Sequence, residues 1–205
     1  MPITIHPHSS GSAKELYRGT LTYEQQLRMM SEIRAIVDEA PFYTPVTPRG
    51  GQMRLAITGA GWGWTSSEGR GYRYERVHPT TGRQLPAIPS AILRLALHYG
   101  LEADSMLINR YQGESASLGF HVDKDERDLT APIVSISLGC TGLFKVSDPH
   151  TCGPMQTLEL HSGAVTVMAG RWRSAKHAMD RIIPGTSPHK LLNETRINLT
   201  LRKSQ

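Results

Sequence analysis

Thr195-Arg196-Ile197-Asn198-Leu199-Thr200-Leu201-Arg202 alternates polar and apolar residues without a break, so that Arg196, Asn198, Thr200 and Arg202 share one face of a strand and Ile197, Leu199 and Leu201 the other. On a surface strand the polar face would simply meet water. In a barrel the same face would point inward and set two guanidinium groups in a restricted cavity. A planar guanidinium makes paired, charge-assisted bonds to a carboxylate, so two of them suit a dicarboxylate ligand.

Upstream of this strand the chain has the texture of many short strands. Met106 to Tyr111, Leu118 to Val122, Pro132 to Leu138, Leu143 to Val146, Thr157 to Leu160 and Ala164 to Met168 each carry β-prone residues, punctuated by Gly and Pro. The first half is helical instead. Thr22 and Gln25 have the spacing of a capping box, and Leu27, Met30, Ile33, Ile36 and Val37 mark one face of a helix that Pro41 stops. A second helix is predicted from Pro89 and Ser90 through Ile92, Leu93, Ala96 and Leu97 to Gly100. The expected fold is α+β: N-terminal helices packed on an antiparallel double-sheet barrel, the double-stranded β-helix or jelly roll.

His121-Val122-Asp123 gives this barrel a chemical centre. On an extended strand, residues two apart point to one side, so His121 and Asp123 can bind one metal while Val122 turns away. A third ligand must come from elsewhere, and His177 is the candidate. Two histidines and one carboxylate on one face of Fe(II) leave positions free for a cosubstrate and O2, whereas zinc prefers a closed tetrahedral set. With 9 histidines in the chain the triplet alone is a weak motif; the two arginines of the last strand strengthen it, because they supply a site for 2-oxoglutarate beside the iron.

A length of 205 residues fits one domain with a sizeable core. The net charge of +5 favours an anionic partner, with nucleic acid ahead of an acidic protein. Cys140 and Cys152 have no disulfide-framework spacing, and His150 with Cys152 offers too few ligands for a second metal site. The first residues lack a basic stretch followed by an apolar core, and no apolar run reaches membrane-spanning length. The expectation is a cytoplasmic, monomeric protein without membrane attachment. Residues 49 to 86 stand out by their mixture of Gly, Arg and aromatics, as in Gly61-Trp62-Gly63-Trp64 and Gly69-Arg70-Gly71-Tyr72-Arg73-Tyr74, and read as irregular hairpins.

Three segments together resemble the AlkB-type Fe(II)- and 2-oxoglutarate-dependent nucleic-acid dealkylation dioxygenases: LINRY at 107 to 111, HVDKDERDLTAPIVSISLG at 121 to 139, and TRINLTLR at 195 to 202. Weaker similarity extends through the GWT and GYRY segments, so the likeness covers about residues 50 to 202. It implies that His121, Asp123 and His177 hold iron, and that Asn109, Tyr111, Arg196, Asn198 and Arg202 bind 2-oxoglutarate, with the division of the two carboxylates between the arginines left open. It places Trp64, Tyr72, Tyr74 and Asp125 around the substrate. The resulting plan is one dioxygenase domain over 1 to 205: an extension with a helix at 1 to 48, a nucleotide-recognition lid at 49 to 86 and a catalytic jelly-roll core at 105 to 202.

The residue types agree with that implication. An enzyme that works on a base takes it out of the stack, and Trp64 can replace the lost stacking, with the imidazole of His121 on the other side. Asp125 can accept a hydrogen bond from an exocyclic amino group. Arg70, Arg73, Arg76, Arg110, Arg127, Arg171, Arg173 and Lys176 are candidate phosphate contacts, although Arg173 can instead pair with a local acid. The implied reaction is oxidative demethylation of 1-methyladenine and 3-methylcytosine in DNA by an iron-bound oxidant, as repair of alkylation damage, with formaldehyde, succinate and CO2 released. The alternatives are the same chemistry on RNA or transfer RNA, a small-molecule hydroxylase on this fold, and a nucleic-acid-binding module without turnover. Two departures from the family pattern touch substrate choice: Ala178-Met179-Asp180-Arg181 follows His177, and the loop Ser147 to Gln156 lacks an arginine at the pocket lip.

Overall fold

The computed structural model describes residues 12–149 and 154–205; His150 and Cys152, considered above as metal ligands, lie outside the described residues. Helix α1 (Tyr23–Glu39) begins where the capping box was expected, with Thr22 and Gln25 bonding reciprocally. Its buried face is Gln26, Met29, Ile33 and Ile36; Leu27, counted in the expected stripe, stays exposed. Helix α2 (Ser90–His98) buries Ile92 and Ala96 and leaves Leu97 exposed.

Twelve strands are described: β1 (Tyr17–Thr20), β2 (Ala56–Gly61), β3 (Gly63–Ser67), β4 (Gly71–Glu75), β5 (Ser105–Gln112), β6 (Leu118–His121), β7 (Ile133–Gly139), β8 (Thr141–Val146), β9 (Gln156–Leu160), β10 (Ala164–Met168), β11 (His177–Ile183) and β12 (Thr195–Arg202). They form a six-stranded sheet in the order β1-β10-β7-β12-β5-β2, a four-stranded sheet in the order β6-β11-β8-β9, and the hairpin β3-β4. All pairings are antiparallel. This is the expected jelly roll, a pair of facing sheets with helices on one side.

The large sheet has two different faces, as its last strand foretold. Ile197, Leu199 and Leu201 join Ile136, Leu138, Ile108, α1 and α2 in one apolar cluster. Burying each such aliphatic side chain contributes about 1.5–3 kcal/mol, so the helices are held to the outer face chiefly by this layer. The opposite face looks into the space between the two sheets.

Three stretches differ from the expectations. Residues 49 to 86 are divided, because Ala56–Gly61 pairs with β5 at the edge of the large sheet and the projecting hairpin is only Gly63–Glu75. The N-terminal part adds an edge strand that was not foreseen, β1 paired with β10, while α1 packs on the sheet as expected. Strand β11 was not foreseen, since His177-Ala178-Met179-Asp180-Arg181 has no clean period-two alternation. Its register shift between Met179 and Arg181 explains why: a bulge-like irregularity breaks the alternation that a sequence pattern would reveal.

Candidate metal centre and cosubstrate cavity

Pairing of β11 with β6 sets His177 directly opposite His121, with ring centroids 4.3 Å apart. Strand β6 ends at His121, so Asp123 sits just past the strand rather than two places along it as expected. Its carboxylate nevertheless turns back to the histidines. His121 Nε2 lies 3.7 Å from Asp123 Oδ1 and His177 Nε2 lies 3.9 Å from Asp123 Oδ2. One candidate ligand atom from each residue falls within 4.8 Å of the others, the sole such group of three or more among the described residues.

The ring nitrogens are already oriented for a metal. Nδ1 of His121 bonds the carbonyl of Gly119 at 2.9 Å, and Nδ1 of His177 bonds that of Ala175 at 2.9 Å. A ring N–H donated to a carbonyl leaves Nε2 as the lone-pair atom, directed at the cluster. Burial, followed by the neighbouring His121 charge, holds His177 down at about 4, so its imidazole is neutral near pH 7 as a ligand must be. Burial alone would raise Asp123; the Arg202 guanidinium beside it, by its charge and its hydrogen bond, outweighs burial and keeps the carboxylate ionised, well below its usual range.

A cavity of about 750 Å³ opens beside this triad, lined from the large sheet by Asn109, Tyr111, Ser135, Asn198 and Arg202, and from the small sheet by Phe144 and Met179. Antiparallel register explains the convergence. Arg196 stands opposite Tyr111 on β5, and Asn198 stands between Asn109 on β5 and Ser137 on β7. Directly opposed residues project to the same side, so all five expected cosubstrate residues reach one cavity from two neighbouring strands.

The two arginines have different surroundings. Arg196 is wholly buried and donates to the Leu160 carbonyl at 3.0 Å and Ser137 Oγ at 2.7 Å. Neighbouring Gly142 leaves it room, since a Cβ there would come within 2.8 Å of Arg196 Nε and 2.7 Å of Met179 Sδ. Arg202, at the other end of β12, donates to Asp123 Oδ2 at 3.0 Å. Its Nε lies 3.1 Å from Glu126 Oε1, a close ion pair without hydrogen-bond alignment. Arg202 Nη1 and Arg196 Nε are buried without a hydrogen-bond partner among the described residues. Unsatisfied buried guanidinium atoms cost free energy, and a ligand carrying two carboxylates would satisfy them. The oxygen and nitrogen donors of the triad likewise fit Fe(II).

Over the mouth stands the β3–β4 hairpin. Trp64 and Tyr72 stack with centroids 5.2 Å apart and planes 21° apart, and Trp64 Nε1 donates to Asp125 Oδ2 at 3.0 Å. Tyr74, opposite Trp64 on the hairpin, donates to Glu126 Oε1 at 2.6 Å. Glu126 is a residue of the site that sequence reasoning missed; its side chain is buried, and the run of three acids in Asp123-Lys124-Asp125-Glu126, just after His121, was the signal that could have found it.

The arginines expected at phosphates fall into two groups. Arg173 is buried against Glu126 at 3.0 Å and donates to the carbonyls of Asp123 and Ala131, which removes it from any phosphate role and realises the local pairing considered above. Arg171 pairs with Asp148, Arg73 with Glu75, and Arg110 lies over the Phe42 ring. Arg70, Arg76, Arg127 and Lys176 are exposed. No helix among the described residues is long and apolar enough to cross a membrane.

Comparison with known proteins agrees with this geometry. The family model described as the 2OG-Fe(II) oxygenase superfamily matches residues 14–202. The chain is 38% identical to an alpha-ketoglutarate-dependent dioxygenase AlkB homolog of Caulobacter vibrioides, over 100% of this chain and 91% of that protein. It is 35% identical to the alpha-ketoglutarate-dependent dioxygenase AlkB of Escherichia coli K12, over 86% and 84% of the two chains. The solved structure of OsALKBH1 superposes with a TM-score of 0.71 at 27% identity, covering 93% of this chain and 95% of that one. Matches of that extent, on a jelly roll in which the paired strands β6 and β11 and the segment just after β6 bring two histidines and an aspartate together, place this chain in the 2OG-Fe(II) oxygenase superfamily as an AlkB-type dioxygenase that uses Fe(II), 2-oxoglutarate and O2.

Proposed function

We infer that this dioxygenase removes N-methyl groups from bases of DNA, with 1-methyladenine and 3-methylcytosine as substrates, and so repairs alkylation damage. The observation that carries the reading is the aromatic pair Trp64 and Tyr72 standing over the cavity that contains the triad, with Asp125 held at its edge. A base drawn out of a helix loses its stacking partners, and an aromatic face replaces them. Asp125 uses Oδ2 for the indole N–H. Its second oxygen remains as an acceptor for an exocyclic amino group, which adenine and cytosine carry and thymine lacks. Exposed Arg70, Arg76, Arg127 and Lys176 supply positive charge for the phosphates on either side.

His121, Asp123 and His177 would hold the iron, and the cavity beside them the cosubstrate. Arg202, already paired with the iron-ligand carboxylate of Asp123, takes the nearer carboxylate of 2-oxoglutarate, and Arg196, at the other end of the same strand face, takes the distal one. Asn109, Tyr111 and Asn198 line the space between. Burial raises Tyr111 well above its ordinary range, so its hydroxyl stays protonated and can donate. Fe(II) with 2-oxoglutarate and O2 supplies oxidation of the methyl carbon, yielding succinate and CO2, and the resulting hydroxymethyl group leaves as formaldehyde. The chain acts as a single domain: the segment 49–86 carries the recognition hairpin, and 105–202 carries iron and cosubstrate.

Anaerobic loading with Fe(II) and 2-oxoglutarate, followed by air and matched methylated DNA and RNA oligonucleotides, tests the reading. Formaldehyde and loss of methyl from DNA are expected. Release from RNA alone would transfer the activity to that polymer, since stacking on Trp64 does not distinguish the sugars. Release from neither, with turnover of a free metabolite, would replace it with a small-molecule hydroxylase.

A further inference from the structure

Glu126 occupies a position that the ligand sets described above leave unused. Its side chain is 2% exposed and meets three partners. Oε1 accepts from Tyr74 Oη at 2.6 Å and lies 3.1 Å from Arg202 Nε, and Oε2 accepts from Arg173 Nη2 at 3.0 Å. One carboxylate oxygen is therefore shared by the hairpin and by the arginine next to the iron-ligand aspartate.

The surrounding chain makes this a junction. Asp123 faces the histidines, Asp125 receives the indole N–H of Trp64, and Glu126 receives the hydroxyl of Tyr74. Trp64 and Tyr74 are themselves cross-strand partners. The hairpin is thus pinned to the metal loop at two adjacent acids. Arg173 clamps the same loop from behind through the Asp123 carbonyl at 2.8 Å. The charges balance within the cluster: Asp123 and Glu126 offset Arg173 and Arg202, so uncharging Glu126 would leave a net buried cation beside the iron ligands.

We propose that Glu126 is a positioning residue that couples the substrate hairpin to the cosubstrate arginine, so that closing Tyr74 onto Oε1 and seating 2-oxoglutarate on Arg202 favour one another. Arg202 has its Nη1 free for the ligand, while its Nε and Nη2 sides are fixed by Glu126 and Asp123. Movement of the hairpin away from Glu126 frees Oε1 to shift with it, and the guanidinium plane loses one of two anchors. Linkage requires reciprocity: a nucleic acid that closes the hairpin must tighten 2-oxoglutarate by the same factor by which 2-oxoglutarate tightens the nucleic acid.

The inference rests on Arg202 as a cosubstrate ligand, and the experiment separates the two ideas. 2-Oxoglutarate is titrated by calorimetry into Mn(II)-loaded protein, which does not turn over, with and without a short oligonucleotide containing 1-methyladenine. In the parent protein the oligonucleotide is expected to tighten 2-oxoglutarate about fivefold or more, within the usual range of site-to-site coupling. Tyr74→Phe keeps the ring and removes only the hydroxyl; it should bring that ratio close to one. Glu126→Gln keeps the shape and removes the charge; it should do the same and also weaken 2-oxoglutarate about tenfold without oligonucleotide, as expected for loss of a buried charged contact. A parent ratio of one, or a ratio that survives in Tyr74→Phe, overturns the coupling whether or not Glu126→Gln folds. Arg202→Met is the control for the underlying reading: undiminished 2-oxoglutarate binding in that variant would remove Arg202 from the cosubstrate site, whereas its loss alongside unchanged ratios in the other two would reject the coupling alone.

Discussion

Replacing Arg196 with methionine should leave the empty protein close to its original stability while abolishing its response to 2-oxoglutarate. Arg196 is fully buried, and none of its hydrogen-bond partners carries a charge: Ser137 Oγ, the Leu160 carbonyl and, at 3.4 Å, the Cys140 carbonyl. Burial lowers its guanidinium from the ordinary 12.5 to about 10. At about 1.36 kcal/mol per tenfold change in proton affinity, holding this charge in the empty cavity costs about 3 kcal/mol. Between those two values the unfolded chain binds more protons than the folded one, so the penalty is present in full at pH 7 and fades only as pH rises through 10 to 12.5. Methionine removes the charge and keeps much of the length, but strands the polar partners at a cost of about 1–3 kcal/mol. The two effects nearly cancel, leaving a net change within about 2 kcal/mol of zero. Urea denaturation of the Mn(II)-loaded protein measures this directly. With 2-oxoglutarate at about 100 times its dissociation constant the parent should gain about 2.7 kcal/mol, or about 5–10 °C in melting temperature, and the variant should gain nothing. A loss above about 3 kcal/mol in the empty variant would show that Arg196 was a well-satisfied structural charge. A retained response to 2-oxoglutarate would show that the cosubstrate is held elsewhere.

Other perturbations separate the parts of the site. His121→Ala should abolish turnover and bound iron while preserving the far-ultraviolet circular dichroism, because the side chain is partly exposed at a strand end; full activity at saturating Fe(II) would mean a different ligand set. Trp64→Ala should weaken binding of methylated oligonucleotide by about 1–3 kcal/mol, the stacking contribution of one base, with 2-oxoglutarate affinity in the absence of oligonucleotide unchanged in calorimetry. Gly142→Ala should weaken 2-oxoglutarate about tenfold, since the added methyl can be accommodated only by displacing Arg196 or Met179; unchanged affinity would mean that Met179 alone gives way.

Parts of this protein were legible in the sequence because they depend on local periodicity. The alternation of β12 announced two faces, and the capping box of Thr22 and Gln25 announced the start of α1. Other parts depend on neighbours distant along the chain. Leu27 has the spacing of a core residue and is exposed, because the sheet meets α1 through Met29, Ile33 and Ile36. Arg173 looked like a phosphate contact because it is basic and near His177; folding instead sets it against Glu126, 47 residues away. Strand β11 escaped detection because its bulge-like register shift destroys the alternation while retaining the pairing.

Sequence alone determined which donor types the chain offers: two histidines and a carboxylate suited to a metal, two arginines and two asparagines suited to a dicarboxylate, and aromatics suited to stacking. Side-chain chemistry is a property of the residue, and alternation along a strand fixes which residues share a face. Tertiary structure alone decided whether that face looked outward or inward, and it did so by burying Ile197, Leu199 and Leu201 under the helices, leaving the arginines toward the second sheet. It also decided that His177 stands opposite His121, because that contact belongs to the register between β6 and β11. The sharing of Glu126 between Tyr74 and Arg202 arises in the same way, from three segments that meet only once both sheets and the hairpin are in place.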